Sequence, residues 1–87
     1  MEHSEAIRQS ERGVKARSIL DNETLRTAFG EIGQDNFNRF VEADPNDTAT
    51  LTRICAEHRA LQAIRSKLHA FINAGKSADA QLKKPHG

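Results

Sequence analysis

The chain has 87 residues, a formal net charge of +1, 37% hydrophobic and 29% charged residues, and neither Trp nor Tyr. That is enough for one small globular domain with a modest core, so association with a partner or with itself is a natural expectation. One cysteine, Cys55, excludes an internal disulfide framework and fits a reducing compartment. The opening residues MEHSEAIRQSERG lack the apolar run of a signal peptide, and no stretch reaches the roughly 18 apolar residues of a membrane span.

Residues 4–19 read as a first, weakly amphipathic helix carrying Ile7, Val14, Ile19 and Leu20, interrupted by Gly13 and frayed at its start. Asp21 or Asn22 is a credible N-cap for a second helix over about 22–43, with Glu23 at the positive end of its dipole. Leu25, Ala28, Phe29, Ile32 and Phe40 form its apolar stripe, Asn36 sits inside the stripe, and Phe37 and Val41 widen its edge. An arc that broad calls for two neighbours, and Gly30 and Gly33 would let a helix approach closely beside Phe37.

Asp44-Pro45-Asn46-Asp47 ends this helix and starts the next, because the residue before a proline is pushed out of the helical region. Proline suits the first helical turn; with Asp44 as cap, Asp47 falls in the acidic first turn. Asn22-Glu23-Thr24 and Asn46-Asp47-Thr48 match a glycosylation pattern, but both read better as helix starts.

The third helix is expected over about 46–74. Its stripe of Leu51, Ile54, Cys55, His58, Leu61, Ile64, Leu68, Phe71 and Ile72 drifts as a seven-residue repeat does, which implies coiled-coil-like packing. Gly75 is the expected C-cap, and the basic residues 77–87 are expected to form a flexible tail. The fold class is therefore all-α: an antiparallel hairpin of two long helices, a shorter N-terminal helix packed on it, and a disordered tail after a single domain spanning 1–76.

The net charge conceals an asymmetry. Residues 21–47 carry seven carboxylates against Arg26 and Arg39, while residues 48–87 carry seven cations against Glu57 and Asp79. Opposite arms attract when folded antiparallel. The basic residues do not gather on one face, so a nucleic-acid surface is the less favoured reading.

Cys55 and His58 share a helical face, but His69 lies about 16 Å further along the axis, so a metal site is not expected and the pair reads as a core thiol beside a partly buried histidine. Glu31 and Asp35 are paired carboxylates at i, i+4, opposite the stripe and so on a solvated face rather than in an acid–base site. Arg65 projects from the stripe and is expected to snorkel, to meet a carboxylate of helix two, or to touch a partner. The chain carries no phosphate loop or nucleophile elbow, a hairpin offers few concave sites, and the third helix is too long for a recognition helix. Neither catalysis nor a cofactor is expected.

The run Ala16-Arg17-Ser18-Ile19-Leu20-Asp21-Asn22-Glu23-Thr24-Leu25, with Ala28-Phe29, Asp47-Thr48, Ala60-Leu61, Ile64, Gly75-Lys76, Ala78 and Leu82, resembles a group of small helical proteins encoded in tailed-bacteriophage and prophage gene clusters, near head and packaging genes. The resemblance spans roughly residues 14–82 and implies an infected bacterial cytoplasm or the virion as the setting. Three functions compete. The first is an interaction protein for virion assembly, or a minor virion component, binding a capsid-side protein or itself through Gly33, Phe37 and Val41. The second is an inhibitor of a host enzyme or defence complex that uses the acidic arm of Glu31, Asp35 and Glu42. The third is a nucleic-acid accessory protein using Arg53, Arg59, Lys67 and the Lys83-Lys84 tail.

Overall fold

The computed structural model of the chain describes residues 2–83 and consists of three α-helices with no strand among those residues. They are α1 (His3–Leu20), α2 (Glu23–Glu42) and α3 (Thr48–Leu82). The described residues form two compact units, one of residues 2–22 with 65–83 and one of residues 23–64, so α3 contributes its second half to the first unit and its first half to the second.

In the first unit α1 packs on the second half of α3. The contact is built from small residues: Ala6, Gly13 and Ala16 of α1 and Gly75 and Ala78 of α3 are buried, and Ile72 is the one large apolar residue buried with them among the described residues. Gly13 and Gly75 meet backbone to backbone. A Cβ on Gly13 would lie 3.0 Å from Gly75 Cα and 3.0 Å from Phe71 O; one on Gly75 would lie 3.1 Å from Gln9 O. Side chains flank this crossing. Ser10 Oγ donates to Asp79 Oδ1, and the Arg12 guanidinium lies 4.2 Å from the Phe71 ring centroid.

Two expectations are corrected here. Gly13 does not interrupt α1, and Gly75 does not cap α3; the helix runs through it to Leu82, with no positive φ at any glycine among the described residues. The close approach explains both, since glycine is needed where two helix backbones touch. Ser77–Leu82 is accordingly helical rather than tail, with Ala78 buried against the crossing. Lys84–Gly87, the rest of the expected tail, lie outside the described residues.

In the second unit α2 is joined by residues 43–47 to the first half of α3. Asp44 makes the turn: its Oδ1 accepts from Asn46 N at 2.9 Å and its carbonyl from Asp47 N at 2.9 Å. Asp47, not Asp44, is the N-cap of α3. Its Oδ1 accepts from Thr50 N at 3.1 Å and its Oδ2 from Thr50 Oγ1 at 2.7 Å, while its carbonyl accepts from Leu51 N. Proline therefore sits in the turn rather than in the first helical turn. The Thr50 hydroxyl, then the Thr50 amide, hold the Asp47 carboxyl below its ordinary pKa of 3.8. A depressed folded value means that the stabilisation is complete above pH 3.8 and fades as pH falls through the lower folded value. Asp47→Ala is expected to lower the melting temperature by roughly 5 °C at neutral pH, with a smaller gap from wild type below that range, as thermal melts at pH 7 and pH 2.5 would read.

The core of this unit is thin. Ile54 and Leu61, seven residues apart on α3, are buried, and Leu25, Ala28 and Phe29 of α2 are half-buried. The one buried residue of α2 is Asn36. Ile32 and Phe40, expected in the stripe, are exposed, as are Cys55, His58 and Ile64 on α3. The ion pair joining the two helices uses the minority charge of each arm: Arg39 Nη2 of the acidic α2 lies 2.5 Å from Glu57 Oε2 of the basic α3. Both ends are half-exposed, so this pair contributes little to stability.

Candidate interaction surface

The spacing of α2 places two different surfaces on either side of its half-buried stripe. At about 100° per residue, Gly30, Gly33, Phe37 and Val41 fall on one flank, and Glu31, Asp35 and Glu42 fall on the other. Phe37 is 62% exposed and Val41 63% exposed, the largest exposures of any apolar side chain on α2. Phe40 lies between them and the stripe, also exposed.

This apolar flank borders a groove of about 310 Å³ within the unit, lined by Gly33, Asn36, Phe37 and Phe40 of α2 and by Ile54, Cys55, His58 and Arg59 of α3. Asn36 is 4% exposed. Its Oδ1 accepts from Arg39 Nη2, while its Nδ2 is buried and has no hydrogen-bond partner among the described residues. An unpaired buried amide donor costs about 1–3 kcal/mol. The groove thus has an apolar wall, with Asn36 and Arg59 among its polar lining residues. Beside Gly33 there is empty space: a Cβ there, or on Gly30, would meet nothing within 4 Å. No helix of the chain itself takes up the close approach that these glycines permit.

The sequence-based candidates therefore separate. Gly33, Phe37 and Val41 come together on the apolar flank. Asp35 lines a shallow hollow on the opposite flank with Ile32, Asn36, Asn38, Arg39 and Glu42, and Glu31 is exposed on that same side. Arg65 is exposed, belongs to the other unit, and is not among the residues lining the groove or the hollow. Phe40, Asn36 and the α3 wall of Cys55, His58 and Arg59 complete the groove; none of them was a candidate for a protein contact, Arg59 having been considered only for nucleic acid and Cys55 with His58 only for a metal. Asn36, a polar residue inside an apolar stripe, was the legible signal. Cys55 is a free, exposed thiol rather than a core residue.

Among the described residues no three His, Cys, Asp or Glu side chains are placed to share a metal ion, and no helix is long and apolar enough to cross a membrane. Comparison of the chain with protein-family models, with curated proteins and with solved structures finds no match.

Proposed function

We propose that this chain is a non-enzymatic helical interaction protein that works by packing the apolar flank of α2 against another protein, in the assembly or the minor composition of a phage particle. In this reading α2 and the first half of α3 form an antiparallel hairpin, and that hairpin is a presenting platform rather than a closed core. The observation that carries the reading is the exposure of Phe37 and Val41 beside a groove lined by Gly33, Phe37, Phe40 and Ile54. Large apolar side chains clustered at helical spacing around a concave site mark interfaces more often than free surface. The phage setting rests on the resemblance alone.

The test is capture of purified head and packaging proteins from a phage gene cluster of this kind by the tagged full chain. Binding by wild type, lost in Phe37→Asp, is the expected result. Equal capture by both would remove the apolar flank from the account.

A second reading draws on the other flank. Asp35 and Glu42 lie together on an exposed hollow that holds no large apolar side chain besides Ile32, which suits a basic groove of a host protein. Asp35→Lys with Glu42→Lys would abolish binding in that case and leave capture of head proteins intact.

A further inference from the structure

We propose that the first unit carries a second binding surface, a basic flank centred on Arg12 and Lys67 that docks on the phosphate backbone of a nucleic-acid duplex. It is built from residues other than those of the α2 flank, and it stands whether or not that flank binds a protein.

The charge of the chain is divided by unit. Residues 2–22 and 65–83 carry eight basic against five acidic side chains, a net of +3, whereas residues 23–64 carry four against seven, a net of −3. The basic residues weighed from sequence for nucleic acid therefore separate: Arg53 and Arg59 belong to the acidic unit and Lys67 to the basic one. A polyanion is drawn to the first unit.

Within that unit the fold brings cations together from two helices. The Arg12 guanidinium of α1 lies 4.2 Å from the Phe71 ring centroid, and the Lys67 ammonium of α3 lies 5.7 Å from the same centroid. The two charges are no further apart than the sum of these distances, about one Debye length in 0.1 M salt. Neither has a carboxylate partner, since the one ion pair among the described residues is Arg39–Glu57. The ring attracts both heads and holds two long side chains in place, so less entropy is lost when an anion arrives. Arg8 and Lys15 sit one turn to either side of Arg12 and within about 60° of it around α1. All four cations are exposed.

The carboxylates of the unit do not cancel this cluster. Asp79 is the one acidic residue among residues 65–83, and it accepts from Ser10, which falls on the opposite side of Gly13 from Arg12. Glu5 and Glu11 share α1 with the cluster, which leaves four cations to two carboxylates there.

The chemistry of the flank selects the occupant. Phe71 is half-buried and its ring carries the Arg12 head, so the flank meets phosphate rather than a stacked base. On α3 the residues beside Lys67 at helical spacing are Ala70 and Ala74, small enough for a broad rigid rod to come close. Ile19 is the one large exposed apolar side chain on this side of α1. That is too little to anchor the unit in a lipid surface or to seat it in an acidic protein.

Fluorescence anisotropy of the full chain with a labelled DNA duplex of about 20 base pairs tests this. Four phosphate contacts predict an affinity that falls about 100-fold between roughly 50 and 200 mM salt. Two duplexes of unrelated sequence should bind equally. Arg12→Gln with Lys67→Gln should weaken binding at the lower salt roughly tenfold or more and flatten the salt slope by about two. Helicity should not change, because both side chains are exposed. Arg53→Gln with Arg59→Gln removes the same charge from the other unit and should bind as wild type. No binding at the lower salt, or equal loss in both double variants, overturns the proposal. Displacement of the duplex as readily by polyglutamate as by unlabelled duplex also overturns it, in favour of an acidic protein. Phe37→Asp should bind the duplex as wild type does, so failure here and failure of the α2 reading are told apart.

Discussion

Gly13→Leu should abolish the packing of α1 on α3. The new Cβ would stand 3.0 Å from the Gly75 Cα and the Phe71 carbonyl, and the rest of the side chain would project further into the same helix. Those atoms are backbone, so no rotamer change makes room. The helices must separate, and separation uncovers Ala6, Ala16, Ile72 and Ala78 together. Overpacking a tight core costs typically 1–3 kcal/mol when neighbours can yield; here they cannot, and a loss of about 3 kcal/mol or more is expected. In a domain of this size that lowers the melting temperature by more than roughly 10 °C, or leaves α1 unfolded at 25 °C. Circular dichroism melts read it directly. Gly75→Leu should behave alike, since its Cβ meets Gln9 O and Gly13 Cα at 3.1 Å. A Gly13→Leu variant that melts with wild type would mean that the glycine crossing does not hold the unit.

Phe37→Asp acts at the opposite extreme, on association and not on the fold. Phe37 is largely exposed in the chain, so its loss uncovers no core. A carboxylate in its place is harmless in water and severely unfavourable in a closed apolar interface. Aromatic anchors of this kind carry about 2–4 kcal/mol each, so association should weaken on the order of 100-fold or more. Light scattering after size exclusion of mixtures with a captured head protein should show the variant eluting free where wild type is bound, with an unchanged helical spectrum. A variant that still co-elutes would place the contact elsewhere.

Much of the fold was legible because it depends on local rules. Apolar spacing at three and four residues marked all three helices, and the Asp44–Asp47 breaker separated α2 from α3. The errors share a physical cause. Gly13 and Gly75 were read by intrinsic propensity, as a helix breaker and a helix stop, whereas the structure uses them for a tertiary contact between residues far apart in sequence. Propensity is a weak prior that packing overrides. Swapping Asp44 for Asp47 as the cap came from weighting the proline over the Thr50 hydroxyl and amide that Asp47 captures.

The candidate surface was half legible. Gly33, Phe37 and Val41 followed from the width of the α2 arc. Periodicity alone could not tell that Phe40 and Ile32 would stay exposed, because an apolar stripe is the same in sequence whether a neighbour covers it or not. Asn36 shows the limit well: a polar residue in a stripe announces a special position, but only the structure shows its Nδ2 buried and without a hydrogen-bond partner among the described residues.

The central claim is that the flank of α2 around Phe37 is covered when the protein works. Amide hydrogen exchange read by mass spectrometry, on the chain alone and on the chain mixed with a head or packaging protein that it captures, tests it most directly. The account predicts protection of residues 30–41 that rises in the mixture, while the amides around the Gly13–Gly75 crossing exchange equally slowly in both samples. Protection of residues 30–41 that is the same in both samples, with the rise elsewhere or nowhere, would contradict it.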